Sequence, residues 1–127
     1  MDKRTLLADF GAALDRLEEA LRQPPASDLI RAGCIQYFEF TFELAWKSVK
    51  VVAEAAGLTD VGSPRASLRQ AFRQGWIEDE DPWLAMLEAR NRMAHTYAAD
   101  RALQIYDLLP AFAPQLRRLH TRLNGLS

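Results

Sequence analysis

One long segment, between Ser27 and Gly57, constrains the fold most. Apolar side chains cover most of its circumference when it is drawn as a helix. What remains is a narrow polar stripe, which consists of Asp28, Glu39, Glu43, Lys47 and Lys50. Such a helix must be covered on nearly every side, either within a bundle or by a bundle and a subunit interface together. The sequence therefore predicts a long second helix at the centre of an all-α domain.

Prolines and capping residues mark the helix boundaries in the first half of the chain. Apolar side chains at three- and four-residue steps predict a first helix that ends before Pro24-Pro25. Ser27 and Asp28 supply N-cap chemistry for the long second helix. Ser63-Pro64 places an N-cap before a proline at the first helical position. This device predicts a short third helix, which Gly75 closes.

The second half of the chain predicts two more helices. Asp81-Pro82 repeats the cap-and-proline device for a fourth helix, and Asp100 caps a leucine-rich fifth helix. Pro110 and Pro114 are expected to kink or divide that last helix. The sequence contains no strand alternation and no repeat. We therefore predict one domain over residues 1–127, an all-α up-and-down bundle of four or five helices.

The charge of the chain is almost balanced. Sixteen basic and 17 acidic side chains give a formal net charge of -1. The chain as a whole therefore lacks the excess positive charge with which many proteins bind nucleic acid, and any RNA contact must be local. Two basic clusters are either local binding surfaces or ordinary solvated faces. They are Arg65, Arg69 and Arg73 at four-residue steps, and Arg117, Arg118 and Arg122 near the C-terminus.

Cys34 is the single cysteine and lies in an apolar run, where a thiol acts as a small core residue. A chain without a disulfide framework suits a reducing cytoplasm. The N-terminus has the pattern of neither a signal peptide nor a membrane span, so we expect a cytoplasmic protein without membrane contact. His95 and His120 lie on different predicted helices, without a cysteine or carboxylate cluster beside them. No metal site or cofactor is therefore predicted.

In the predicted fourth helix, Arg90 shares an apolar stripe with Trp83, so its guanidinium should face a core, a groove or a subunit interface. A buried charge without a partner is costly. If the second and fourth helices pack side by side, Glu39 or Glu43 can provide that partner. The alternative is a local ladder in which Glu39, Glu43 and Lys47 satisfy one another within their own helix.

The segment from Arg90 to Tyr97 brings together a guanidinium, an amide, an imidazole and a phenol. Histidine moves protons near neutral pH, and a forked guanidinium stabilises negative charge on phosphate oxygens. Asn91 lies one turn before His95 and can orient its ring or contact a phosphate. The structural alternatives are that His95 interacts with the helix dipole and that Tyr97 is a core aromatic residue.

Two segments carry a resemblance to a known family. The second helix contains, from Tyr37 to Lys47, the run YFEFTFELAWK. The fourth helix contains Arg90-Asn91, then His95 four residues after Asn91, then Tyr97. With these features in this order, nearly the whole chain resembles the HEPN superfamily, and within it the HepT-like nucleotidyltransferase substrate-binding proteins.

This resemblance implies a homodimer of helical bundles that is encoded beside a minimal nucleotidyltransferase, the pair often acting as toxin and antitoxin. It implies a metal-independent ribonuclease in which Arg90 and His95 from the two subunits line one composite cleft. It also implies that the partner modifies the Tyr97 hydroxyl with AMP. An AMP group beside Arg90 would pair with the cation and fill the cleft, which would silence the enzyme.

Three functions are compatible with the sequence. The first is a dimeric endoribonuclease toxin, favoured by the complete set of Arg90, His95 and Tyr97. The second is a non-catalytic subunit that binds nucleotide or presents Tyr97 to the nucleotidyltransferase, favoured by the near-neutral charge. The third is a structural dimerisation module, which leaves the position of Arg90 on an apolar stripe unexplained.

Overall fold

Helices form all the regular structure in residues 2–95 and 99–126, the part of the chain that the computed structural model describes. This architecture confirms the predicted all-α fold class. A 3₁₀ segment, Gln104–Leu108, separates the last two α-helices. The α-helices are α1 (Lys3–Arg22), α2 (Asp28–Ala55), α3 (Pro64–Arg73), α4 (Asp81–His95), α5 (Ala99–Leu103) and α6 (Leu109–Gly125).

Helix α1 ends, and α2 and α3 begin and end, where the sequence predicts. The Ser27 hydroxyl accepts a hydrogen bond from the backbone N–H of Ile30, and the Ser63 hydroxyl caps α3 in the same way. Helix α1 stops before the proline pair, and α2 stops two residues before Gly57. Gly57 and Gly75 have φ angles of 80° and 75°, a left-handed conformation that glycine adopts without strain.

The predicted caps of the later helices were wrong in detail. Asp81 is the first residue of α4. The carboxylate of Asp79 accepts a hydrogen bond from the backbone N–H of Asp81 at 3.0 Å. Asp100 lies inside the first turn of α5 rather than before it. The predicted division of the last helix is confirmed ahead of Pro110, whereas Pro114 lies inside α6 and does not divide it. Since proline has no N–H to donate, Pro110 fits into the first turn of α6.

Helix α2 forms the centre of the bundle and packs against α1, α3 and α6. Its Phe38 ring stacks on Phe112 of α6, with ring centroids 5.4 Å apart, and Phe38 and Phe42 are fully buried. Cys34 is buried in the same core, and this burial raises the pKa of its thiol. The prediction that Cys34 is a small core residue is confirmed.

Helix α4 packs mainly on α3 and α6 and inserts Trp83 and Met86 into the core. Its apolar stripe is therefore covered, and Arg90 continues that stripe towards the end of the helix. None of the described helices is both long enough and apolar enough to cross a membrane.

The contact between α1 and α6 is polar as well as apolar. The Nε2 atom of His120 lies 3.0 Å from the backbone oxygen of Leu7, and the imidazole packs edge-on against Phe10. A Cβ atom at Gly11 would lie 2.8 Å from His120 Nε2, closer than real Cβ contacts allow. The absence of a side chain at Gly11 thus lets His120 reach α1.

Two glycine substitutions test this contact. A Cβ atom at Gly33, within α2, would meet no other atom within 4 Å. We expect Gly33→Ala to raise the free energy of unfolding by about 0.5–1 kcal/mol, since alanine is the better helix former. Gly11→Ala should give a lower free energy of unfolding than Gly33→Ala, because the same gain is offset by the displaced His120 ring, which loses a hydrogen bond worth about 0.5–1.5 kcal/mol. Urea unfolding measures both, and equal stabilisation by the two alanines would contradict this account.

Candidate functional site

Arg90 of α4 and Glu43 of α2 form an ion pair. Arg90 Nη2 lies 2.6 Å from Glu43 Oε1, and the two side chains are 33% and 31% exposed. The sequence offered Glu39 and Glu43 as partners and a local ladder as the alternative; the structure pairs Glu43 with Arg90. The charge of Glu43 is therefore satisfied between two helices rather than within α2 alone.

A second contact fixes the Glu43 carboxylate. The indole Nε1–H of Trp46 donates a hydrogen bond to Glu43 Oε2 at 2.9 Å, so each carboxylate oxygen has its own partner. The ammonium group of Lys47 lies 6.0 Å from the Trp46 ring centroid, a cation–π distance rather than an ion pair with Glu43. Sequence reasoning missed the role of Trp46. Its spacing of three residues from Glu43 was the available signal.

Asn91 holds Arg90 from its own helix. The Asn91 Oδ1 atom accepts a hydrogen bond from Arg90 Nη1 at 3.2 Å. The sequence predicted that Asn91 would orient His95 or contact a phosphate, and neither role involves Arg90. A guanidinium has five N–H donors, so Glu43 and Asn91 leave donors available on a group that is one-third exposed.

Glu39 lies one turn before Glu43 on α2 and is partly buried. Burial raises the pKa of its carboxyl group, the negative charge of Glu43 raises it further, and Arg90 opposes the shift. Glu39 also lines a cavity of about 230 Å³ between α2, α4 and α5, together with Ile35, Met93 and Leu103. The two glutamates thus differ in role: one pairs with Arg90, and the other retains protons more readily than an ordinary carboxyl group.

Two predicted site residues fall at the limit of the described structure. His95 is the last residue of α4, and its side chain lies outside what the structure describes. Tyr97 lies outside the described residues altogether. On an ideal helix, five positions rotate the side-chain direction by about 140°, so the spacing of Arg90 and His95 predicts that they diverge on a single helix.

The two basic clusters differ in structure. Arg117 connects α6 to α1, with Nη2 2.8 Å from Asp15 and 2.6 Å from Glu18. It therefore stabilises the bundle rather than offering a free charge. By contrast, Arg65, Arg69 and Arg73 are all exposed on α3. Within residues 2–95 and 99–126, no three histidine, cysteine or acidic side chains are grouped so as to hold a metal ion.

Comparison with protein families gives one match that spans most of the chain. The sequence model of the family described as "nucleotidyltransferase substrate binding protein like" matches residues 6–125. A probable ribonuclease HepT of Haemophilus influenzae is 36% identical over 89 residues, which cover 67% of this chain. The match spans 61% of that relative's own length.

Two solved structures share the fold. A protein of Thermus thermophilus superposes with a TM-score of 0.80 and is 32% identical, covering 90% of this chain and 98% of its own. A Haemophilus influenzae protein, described as having the fold of a nucleotidyltransferase's substrate binding domain, gives a TM-score of 0.78 and 30% identity. That match covers 93% of this chain and 98% of the other.

The two glutamates should respond oppositely to neutralisation. Glu43→Gln should lower the free energy of unfolding by about 0.2–1 kcal/mol at neutral pH, because it removes a partly exposed ion pair. Glu39→Gln should raise the free energy of unfolding at neutral pH, because ionisation of a carboxyl group with a raised pKa destabilises the folded chain.

The pH dependence checks the sign for Glu39. Its folded form binds more protons than the unfolded chain between the ordinary pKa of a carboxyl group and the raised one, so stability falls as the pH rises through that interval. Below that pH interval Glu39 is protonated in the folded and the unfolded chain alike, so the increase in the free energy of unfolding caused by Glu39→Gln should vanish. Urea unfolding across acidic and neutral pH measures this, and a gain that persists at low pH would contradict the assignment.

Proposed function

Since the chain belongs to the nucleotidyltransferase substrate-binding protein family, we propose that it is a HepT-like partner of a minimal nucleotidyltransferase and a metal-independent endoribonuclease. One observation carries the proposal. Arg90 is held by Glu43 and Asn91 in a partly exposed position, five residues before His95 on the same helix. A guanidinium fixed in place with free donors is suited to binding a phosphate. The name of the H. influenzae relative, probable ribonuclease HepT, supports the same activity.

The proposed reaction uses the 2′-OH of RNA as its nucleophile. The 2′ oxygen attacks the adjacent phosphorus while the bond from phosphorus to O5′ breaks, which leaves a 2′,3′-cyclic phosphate and a 5′-OH end. His95 moves a proton, either from the 2′-OH or to O5′, since its pKa range suits both transfers. Arg90 stabilises the charge that develops on the non-bridging oxygens. Glu43 and Asn91 position Arg90.

A second copy of the chain completes the site in this proposal. Across a twofold axis, the His95 of one chain can approach the Arg90 of the other, which overcomes their divergence on a single helix. Helix α2 leaves Phe40 52% exposed and Leu29 83% exposed. These large exposed apolar side chains support an interface on that helix.

The second candidate function is a non-catalytic subunit that binds nucleotide for the nucleotidyltransferase. Two observations favour it. The net charge is -1, whereas enzymes that bind RNA nonspecifically generally gain affinity from excess basic residues. The similar H. influenzae structure is described as a substrate binding domain. Cleavage of RNA separates the two candidates.

We expect the purified chain to cleave total cellular RNA in excess EDTA, and His95→Ala to lower the rate by about 100-fold or more. His120→Gln is the matched control. It replaces the other histidine, whose ring packs α6 against α1, and should retain activity if circular dichroism shows a folded bundle. Fragments are followed by gel electrophoresis, after mass spectrometry has excluded AMP on Tyr97. Intact RNA with the unmodified wild type would favour the binding subunit.

Regulation by AMP modification is part of the same proposal. In a toxin–antitoxin pair, the nucleotidyltransferase would transfer AMP from ATP to the Tyr97 hydroxyl, with release of pyrophosphate. The added phosphodiester would lie two residues after His95 and carry a negative charge that Arg90 can bind. The nucleoside would occupy space that the RNA requires.

Tyr97→Phe tests this regulation. The variant should cleave RNA at the wild-type rate and should resist inhibition by the nucleotidyltransferase with ATP, because phenylalanine has no oxygen to modify. Tyr106→Phe, at a tyrosine packed against the core, is the control and should remain fully inhibited. Suppression of Tyr97→Phe to the same extent as the wild type would rule out modification at Tyr97.

A further inference from the structure

The exposed face of α3 carries three arginines that form no ion pair within the described part of the chain. Arg65, Arg69 and Arg73 are exposed at four-residue steps, and residues 61–77 contain no aspartate or glutamate. In residues 2–95 and 99–126, none of these three arginines forms an ion pair or a side-chain hydrogen bond. Arg31, Arg90 and Arg117, by contrast, all pair with carboxylates. The guanidinium groups on α3 are thus available to an anion.

An exposed aromatic ring lies on the same face. Phe72 is 43% exposed, and it follows Arg65 by seven residues, a separation that places the two side chains within about 20° of each other around an ideal helix. The buried side of α3 is formed instead by Ser67, Leu68 and Ala71. Phe72 therefore leaves apolar ring surface exposed among arginines.

This face borders a groove that ends beside the candidate active site. The groove, of about 670 Å³, runs between α3 and α4, and its lining includes Arg65, Asn91 and Arg92 together with the carboxylates of Asp81 and Glu88. Asn91 in turn holds the guanidinium of Arg90. A chain molecule that lies along α3 and enters the groove thus comes to Asn91, the residue beside the proposed catalytic arginine.

We infer that Arg65, Arg69, Phe72 and Arg73, which we name the α3 track, bind the single-stranded part of an RNA substrate. The inference rests on the proposed ribonuclease function and adds where the strand lies. Four residues of helix rise about 6 Å, so the arginines can bind separate phosphates along an extended strand. Phe72 provides a surface on which an unpaired base can stack. That ring favours a nucleic acid over an acidic protein as the occupant.

Binding of a fluorescently labelled single-stranded oligouridine to full-length protein tests the α3 track. The His95→Ala background and EDTA prevent cleavage, and anisotropy gives the Kd over a series of salt concentrations. Arg69→Gln with Arg73→Gln should raise the Kd roughly tenfold and reduce the salt slope by about 1.4, since each phosphate contact in a single strand contributes about 0.7. Phe72→Leu should raise the Kd about tenfold and leave the slope unchanged.

Two controls match these variants. Arg118→Gln with Arg122→Gln removes the same charge from α6. These two arginines line a surface depression together with Glu78 and Asp79. The double variant should leave the Kd within about twofold of the parent. Phe72→Tyr keeps the ring and should bind like the parent. Equal weakening by the two arginine pairs would overturn the α3 track, because it would indicate a general effect of charge.

Wild-type affinity in the Arg69 and Arg73 variant would also overturn the α3 track, even if that variant no longer bound an acidic protein partner. In that case cleavage by the wild type would leave the ribonuclease proposal standing. If the wild type neither binds nor cleaves RNA, both proposals fail together.

Discussion

The requirement to cover α2 determines where α1, α3 and α6 lie, and α4 packs on two of these helices. Its apolar side chains occupy most of the helix circumference, so α1, α3 and α6 must pack around it. The single polar stripe is left at the gap between these neighbours, and there Glu43 meets Arg90 of α4. The candidate site is thus a consequence of core packing, because the acidic residues of α2 have one side on which to remain hydrated.

Much of the fold follows from local sequence rules. Ser27 and Ser63 mark helix starts through hydrogen bonds to nearby backbone N–H groups, and the proline pair marks a helix end because proline has no N–H to donate. The start of α4 was misjudged by one residue. The backbone oxygen of Glu80 accepts the first helical hydrogen bond, from Leu84, and the Asp79 side chain accepts the backbone N–H of Asp81 in the turn before the helix. Local rules state what a residue can do, whereas tertiary packing selects one of several equivalent residues.

The candidate site likewise combines features that follow from the local sequence with features that only the packing of the helices decides. The stripe position of Arg90 predicted a partner, and helix periodicity limited the choice to Glu39 or Glu43. The positions of α2 and α4 in the bundle place Glu43 against Arg90. Glu39 lies instead beside a cavity, and its carboxyl group has a raised pKa. The indole of Trp46 then holds the chosen carboxylate. Two glutamates one turn apart thus differ in chemistry: Glu43 pairs with Arg90, whereas burial and the neighbouring negative charge of Glu43 raise the pKa of Glu39.

The single thiol of this chain is buried, so the surface of the bundle exposes no natural cysteine to thiol reagents. Thiol reagents attack the thiolate, and Cys34 is both enclosed by the core and shifted towards its protonated form. The folded chain should therefore be almost inert to maleimides without removal of its natural cysteine. A cysteine placed on any exposed helix would become the one reactive attachment point, so a dye or spin label could report on subunit and partner geometry from an otherwise native protein.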